Sequence, residues 1–186
     1  MDARQDETAN PFGMDEDCQQ CPELCETRSQ VVHGYGDVGA DFVVLGEAPT
    51  PGADRTGVPF TGEDRLVLEV LSRVGLVEDP AADEPEVDDV FLSYVTRCHH
   101  PDRAATDEEV RNCEGYRSSE LRMINPEIIV PVGGRALSAL AFQYTTKSAD
   151  DPFVERFADL LGTDYRQTKG RQGSLESGRG PENEDL

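Results

Sequence analysis

Lysine is nearly absent from this chain. Of its 17 basic residues only Lys147 and Lys169 are lysines, and they face 38 acids, so the formal charge over 186 residues is −21. Long apolar runs are missing as well. No stretch approaches the roughly 18 residues that would span a bilayer, and the N-terminus is acidic rather than basic and then apolar, unlike a secretory leader. The expectation is a soluble, cytoplasmic protein. Aromatics are sparse at 6% and hydrophobics reach 37%, lean but enough for one packed core in a chain of single-domain length.

The acid excess has two readings. One is solubility, or a surface that binds basic partners. The other, preferred here, is a halophile's surface, which stays hydrated in a cytoplasm of molar salt. The Debye length at 1 M salt is about 3 Å, so in such a cell the charge would barely repel a nucleic acid. It therefore does not exclude a DNA substrate.

Residues 1–17 carry six acids and one base without apolar periodicity, and read as disordered or loosely attached. A first strand is expected over 40–45 (ADFVVL), ending in Gly46-Glu47-Ala48-Pro49. Leu66, Val70, Leu71 and Val74 recur at helical spacing, and Gly75 is a natural stop. Residues 78–89 hold seven acids, two prolines and no base, which predicts an exposed linker. A second strand over 90–96 (VFLSYVT) runs into Cys98. Thr106-Asp107-Glu108-Glu109 is a capping box opening a helix that carries Cys113 and Tyr116. A third strand over 127–132 (EIIVPV) ends in Gly133-Gly134, before a helix over 137–142. Asp151-Pro152 reads as an N-cap with Pro at N1, opening a short helix through Val154, Phe157, Leu160 and Leu161. From about residue 164 the apolar content nearly vanishes, and over 166–186 four bases balance four acids. That composition predicts disorder, either as an ordinary tail or as a truncated or frame-diverted end.

Strands alternating with helices predict an α/β fold with a parallel, doubly wound sheet. The three chemically suggestive segments, 46–49, Cys98 and Gly133-Gly134, each follow a strand. In open α/β sheets the ligand crevice lies outside the carboxyl ends of the strands, so all three loops are expected to meet at one site.

Five cysteines occur: Cys18, Cys21, Cys25, Cys98 and Cys113. Cys18-x2-Cys21 is the usual first half of a metal site, and Cys98 and Cys113 supply two further thiols from a distant segment. Spacing alone leaves zinc, an iron–sulfur cluster and buried free thiols open. Disulfides are disfavoured in a cytoplasm. Cys25 reads as the spare.

Taken together, CQQC, GEAPTPGADRTGVPFTG, Cys98, Cys113 and NPEIIVPVGGRAL, in that order over roughly residues 18–140, resemble the family 4 uracil-DNA glycosylases, the iron–sulfur branch of that superfamily. The resemblance implies a three-layer α/β/α domain over 18–163 with a short parallel sheet, flanked by the disordered 1–17 and 164–186. It implies a [4Fe–4S] cluster on Cys18, Cys21, Cys98 and Cys113, and DNA containing uracil as substrate. Uracil must be flipped out of the helix, stacked and hydrogen-bonded along its edge. Phe60 matches the stacking aromatic, a position that without the motif reads as an ordinary core Phe. Gly46, Ala48 and Pro49 match the loop that approaches the sugar and the attacking water. Glu47 matches a catalytic carboxylate that helps stabilise the charge separation of the transition state; on its own it reads equally as a surface or N-cap carboxylate.

Two departures stand out. Tyr94 occupies the position, four residues before the third ligand cysteine, where the family usually has an Asn that reads the uracil edge. The closing His-Pro-Ser type motif and the last strand that delivers it are also expected to be missing, because the only histidines are His33, His99 and His100. His99 and His100 read as cluster-side or phosphate-facing residues, and Arg97 and Arg103 as contacts to DNA phosphates or solvated loop charges. The alternative function is a catalytically inactive iron–sulfur relative that binds nucleic acid or a partner; a zinc-stabilised domain unconnected with repair is weaker. No contact to a sliding clamp is legible.

Overall fold

The computed structural model describes residues 9–62, 65–144 and 167–168. Its main sheet has five strands in the order β1-β5-β2-β6-β7. The three inner strands, β2 (Phe42–Gly46), β5 (Val90–Tyr94) and β6 (Ile128–Pro131), are parallel. Two-residue strands flank them antiparallel: β1 (Tyr35–Gly36) on β5 and β7 (Gln167–Thr168) on β6. The β7 pair falls within the segment whose composition predicted a structureless tail. The helix expected after Asp151-Pro152 lies outside the described residues.

Alternation along the strands builds the layers. Val44, Val90, Leu92 and Tyr94 point to one face and pack with Ala53, Val58, Phe60 and Leu68. Val43, Leu45, Phe91, Val95 and Ile129 point to the other and pack with Leu121, Ala136 and Leu140. Strands buried on both faces read as continuous apolar runs, as VFLSY does. The first face is covered by α2 (Pro51–Thr56) and α3 (Leu66–Arg73), the second by α5 (Glu114–Ile124) and α6 (Gly134–Tyr144). The result is the expected three-layer α/β/α arrangement.

Several local expectations change. The α3 stripe of Leu66, Val70 and Val74 is exposed; the helix instead turns Val67, Leu68 and Leu71 to the core. The acidic linker is organised. Its ends form a hairpin of β3 (Val77–Glu78) and β4 (Glu86–Val87), and Tyr35 donates its hydroxyl to the Pro85 carbonyl at 2.7 Å. Buried Val77 and Pro85 anchor it beneath its acids. Residues 9–17 are likewise attached. The Phe12 ring packs 5.7 Å from Phe91, and the Asp15 carbonyl accepts from His33 Nε2 at 2.9 Å.

The helix expected to carry both Cys113 and Tyr116 breaks at Cys113, which closes α4 (Asp107–Asn112) and opens α5. The predicted capping box at Thr106 is present, with both reciprocal bonds made. Near the N-terminus, α1 (Pro22–Thr27) follows directly on Cys21.

Candidate active site and sulfur centre

Register brings the three loops together. Gly46 pairs with Tyr94, and Leu45 with Pro131, so the inner strands end level. The ladder runs on past them: Val95 and Thr96 donate backbone N–H groups to the Gly46 and Glu47 carbonyls, and Val132 donates to Leu45. Loops 46–49, 95–98 and 132–134 therefore leave one edge of the sheet side by side.

Gly46, Phe60 and Tyr94 meet there. A Cβ on Gly46 would lie 2.7 Å from the Tyr94 ring and 2.8 Å from the Phe60 ring, so only glycine lets both rings approach the strand. The rings are 4.8 Å apart and tilted, and the Phe60 N–H donates to the Tyr94 hydroxyl at 2.8 Å. Phe60 sits at φ +64, a conformation that costs a non-glycine residue on the order of 1–3 kcal/mol and persists where surrounding structure imposes it. Both rings are buried.

Glu47 is half-buried beside them. Its Oε1 accepts the Arg135 backbone N–H at 2.8 Å, in the first turn of α6, where the helix dipole favours a carboxylate. Gly133, at φ +102, makes room for it; a Cβ there would collide with the Glu47 carboxylate. Pro49 is buried, and its carbonyl accepts from His99 Nδ1 at 2.8 Å. Since a carbonyl only accepts, Nδ1 carries the proton. His99 thus ties loop 46–49 to the cysteine loop, while His100 approaches Glu23 of α1 at 3.4 Å.

The two arginines read as phosphate contacts are engaged elsewhere. Arg97 continues the inward-facing row of β5, is 1% exposed, and bonds Glu120 and Ser93, both at 2.6 Å. Gly34 N–H and the Ser93 hydroxyl complete the Glu120 carboxylate. Arg103 binds Glu109 in a bidentate fork and reaches Glu23 at 2.6 Å. Glu109 is thereby held down to about 2, first by the Arg103 hydrogen bond.

Two of the five sulfurs each have a hydrogen-bond donor aimed at them. Cys98 receives Arg28 NH1 at 3.1 Å, and Cys21 receives Asn112 Nδ2 at 3.4 Å. Tyr116 lies beside Cys18, and the Arg97 backbone beside Cys113. Burial pushes the Cys98 thiol up to about 11 and also raises Cys21 and Cys113; Cys98 and Cys113 each sense Cys18. Cys25 differs, since its thiol is placed to donate to the Cys18 carbonyl at 3.6 Å. Among the described residues no three His, Cys, Asp or Glu side chains are grouped to hold a single metal ion. The donor set nevertheless fits a thiolate-ligated centre, because N–H groups pointing at the Cys98 and Cys21 sulfurs match sulfurs that act as acceptors. Arg28 and Asn112 were not singled out from the sequence, and Tyr116 was named there only for its place on the helix with Cys113. Their only signal there is proximity to the cysteines, Asn112 adjoining Cys113 and Tyr116 three residues after it.

The architecture and this geometry define a three-layer α/β/α protein with three converging loops at the carboxyl edge of a parallel sheet. A profile of the Uracil DNA glycosylase superfamily matches residues 33–171, and the chain belongs to that superfamily. It is 35% identical over 161 residues to the type-4 uracil-DNA glycosylase of Archaeoglobus fulgidus, covering 86% of this chain and 69% of that protein. To the type-4 enzyme of Thermotoga maritima it is 34% identical, covering 65% of this chain and 59% of that one. The type-5 uracil-DNA glycosylase of Thermus thermophilus is 31% identical, with 73% of each covered. No helix among the described residues is long and apolar enough to cross a membrane.

Proposed function

We propose that this protein is a uracil-DNA glycosylase of base-excision repair, which hydrolyses the N-glycosidic bond between uracil and deoxyribose in DNA. The observation that carries this reading is the convergence of Gly46, Glu47, Phe60 and Tyr94 at the carboxyl edge of the sheet. A flipped base needs an aromatic platform and polar groups along its edge, and Phe60 is the platform. In the reaction the C1′–N1 bond breaks, water adds hydroxide to C1′, and the remaining proton goes to the departing uracil. Glu47, fixed by the Arg135 N–H, opposes the positive charge that develops on the sugar. Gly46, Ala48 and Pro49 shape the backbone around the sugar, with His99 holding Pro49.

A [4Fe–4S] cluster on Cys18, Cys21, Cys98 and Cys113 belongs to the same reading. When bound, its chemistry is structural: it cross-links the N-terminal segment to the sheet. Cys25 stays outside the ligand set because its thiol is placed as a donor to a carbonyl. The charge of −21 and the two lysines support a halophilic, cytoplasmic setting.

Tyr94 favours a second reading, an inactive iron–sulfur relative that binds DNA or a partner. Its ring is buried against Phe60, and one hydroxyl cannot replace a bidentate amide. Single-turnover excision of uracil from a single-stranded oligonucleotide, with iron-verified protein in molar KCl, separates the two. Alkali-labile sites above background establish the glycosylase; DNA binding without them establishes the inactive relative.

A further inference from the structure

Arg28 follows α1 as its C-cap residue. Its guanidinium joins two distant parts of the chain. NH1 donates to Cys98 Sγ at 3.1 Å, and NH2 donates to the Cys18 carbonyl at 2.6 Å. Guanidinium is always charged and only donates. Among the described residues no carboxylate forms an ion pair with it, although the chain has 38 acids. Arg103, by contrast, holds two of them. A half-buried cation facing a neutral thiol and a carbonyl lacks a counter-charge, which burial makes costly. A cluster of four thiolate ligands, negatively charged as a whole, supplies one. The fork geometry adds a second constraint, since one planar group sets the Cys98 sulfur relative to the turn that carries Cys18 and Cys21.

We infer that Arg28 is a positioning residue of the sulfur centre, whose charge and fork hold the cluster and raise its reduction potential. This rests on the cluster assignment above. A cation at hydrogen-bond distance from a ligating sulfur stabilises the added electron, and potentials of such clusters respond to charge and to hydrogen bonds on sulfur.

The test compares the full chain with Arg28→Gln and Arg28→Lys, each purified without oxygen in molar KCl. Iron per chain, visible absorption and midpoint potential are read, with circular dichroism to follow the fold. Arg28→Gln should lower the potential by the equivalent of at least tenfold in the reduction equilibrium, about 59 mV for one electron. Arg28→Lys, which keeps charge but not the fork, should recover more than half of that shift. Should Arg28→Gln bind no iron with its fold intact, iron retained by Arg28→Lys supports the same role. Parental potential and iron content in Arg28→Gln overturn the role of Arg28 alone. Unfolding of both variants overturns it too, by showing a purely structural contact. Iron-free parent protein overturns the cluster assignment itself.

Discussion

The backbone N–H of Phe60 donates to the Tyr94 hydroxyl at 2.8 Å, with the two rings 4.8 Å apart. One residue thus both packs against the Phe60 ring and holds the strained backbone beneath it. Tyr94→Phe keeps the ring and removes the acceptor, leaving a buried donor unsatisfied. A loss of about 1–3 kcal/mol is expected, read from denaturant midpoints. An unchanged midpoint would show that the hydroxyl does not hold the loop.

Glu47 has two separable roles. Glu47→Gln retains an oxygen for the Arg135 N–H but removes the charge, so stability should stay within about 0.5 kcal/mol while single-turnover excision falls at least tenfold. Glu47→Ala should lose the same activity and about 1 kcal/mol of helix capping as well. Equal excision by parent and Glu47→Gln would assign the carboxylate to capping alone.

Arg97 and Glu120 form a buried pair, 1% and 3% exposed at the side chain, at 2.6 Å. Glu120→Ala strands the Arg97 charge between β5 and α5 and should cost about 3–5 kcal/mol. Thermal unfolding of the variant should show a large fall in Tm; a fall of only a degree or two would mean that the charge finds another partner.

The Arg103–Glu109 fork makes a pH prediction. Glu109 is depressed in the folded protein from its ordinary 4.5 to about 2. A carboxyl lowered by folding stabilises the fold above its unfolded value and loses that contribution as pH falls through the folded one. Solvent screens the pair, Arg103 being 28% exposed, so the contribution is the small one of a surface ion pair. The difference in stability between parent and Arg103→Gln should be constant above pH 5 and vanish toward pH 2. A difference that persists at pH 2 would place the effect in packing.

Cys25 and Cys98 should behave oppositely. Cys25→Ser is expected to keep the parent's iron content, since that thiol donates to a carbonyl. Cys98→Ser should lose most of the iron and destabilise the link between α1 and the sheet. Iron analysis of both variants decides it, and equal loss would bring Cys25 into the ligand set.

Elements with strong local signals were legible from the chain itself. The inner strands announced themselves as continuous apolar runs because they are buried on both faces, and the Thr106 capping box because its bonds span three residues. The convergence of the glycine-rich loops was readable for a similar reason: each follows a strand, and strand ends converge in a parallel sheet. The acid excess, the cysteine spacing and the superfamily motifs are likewise properties of the linear sequence. Other features depended on what lies opposite. Val67, Leu68 and Leu71, rather than Leu66, Val70 and Val74, became the inner stripe of α3 because the sheet selects which face is covered. Arg97 looked like a loop cation but faces Glu120, since strand alternation carried past Thr96 turns it inward. Tyr94 was recognisable as a departure, whereas its grip on the Phe60 N–H required the register of β2 and β5 and the room left by Gly46. The donors on the cysteine sulfurs come from residues up to 91 positions away in the chain, as Asn112 is from Cys21. Spacing in sequence carries no record of such contacts; packing of α1, α4 and α5 around the cysteine loop created them.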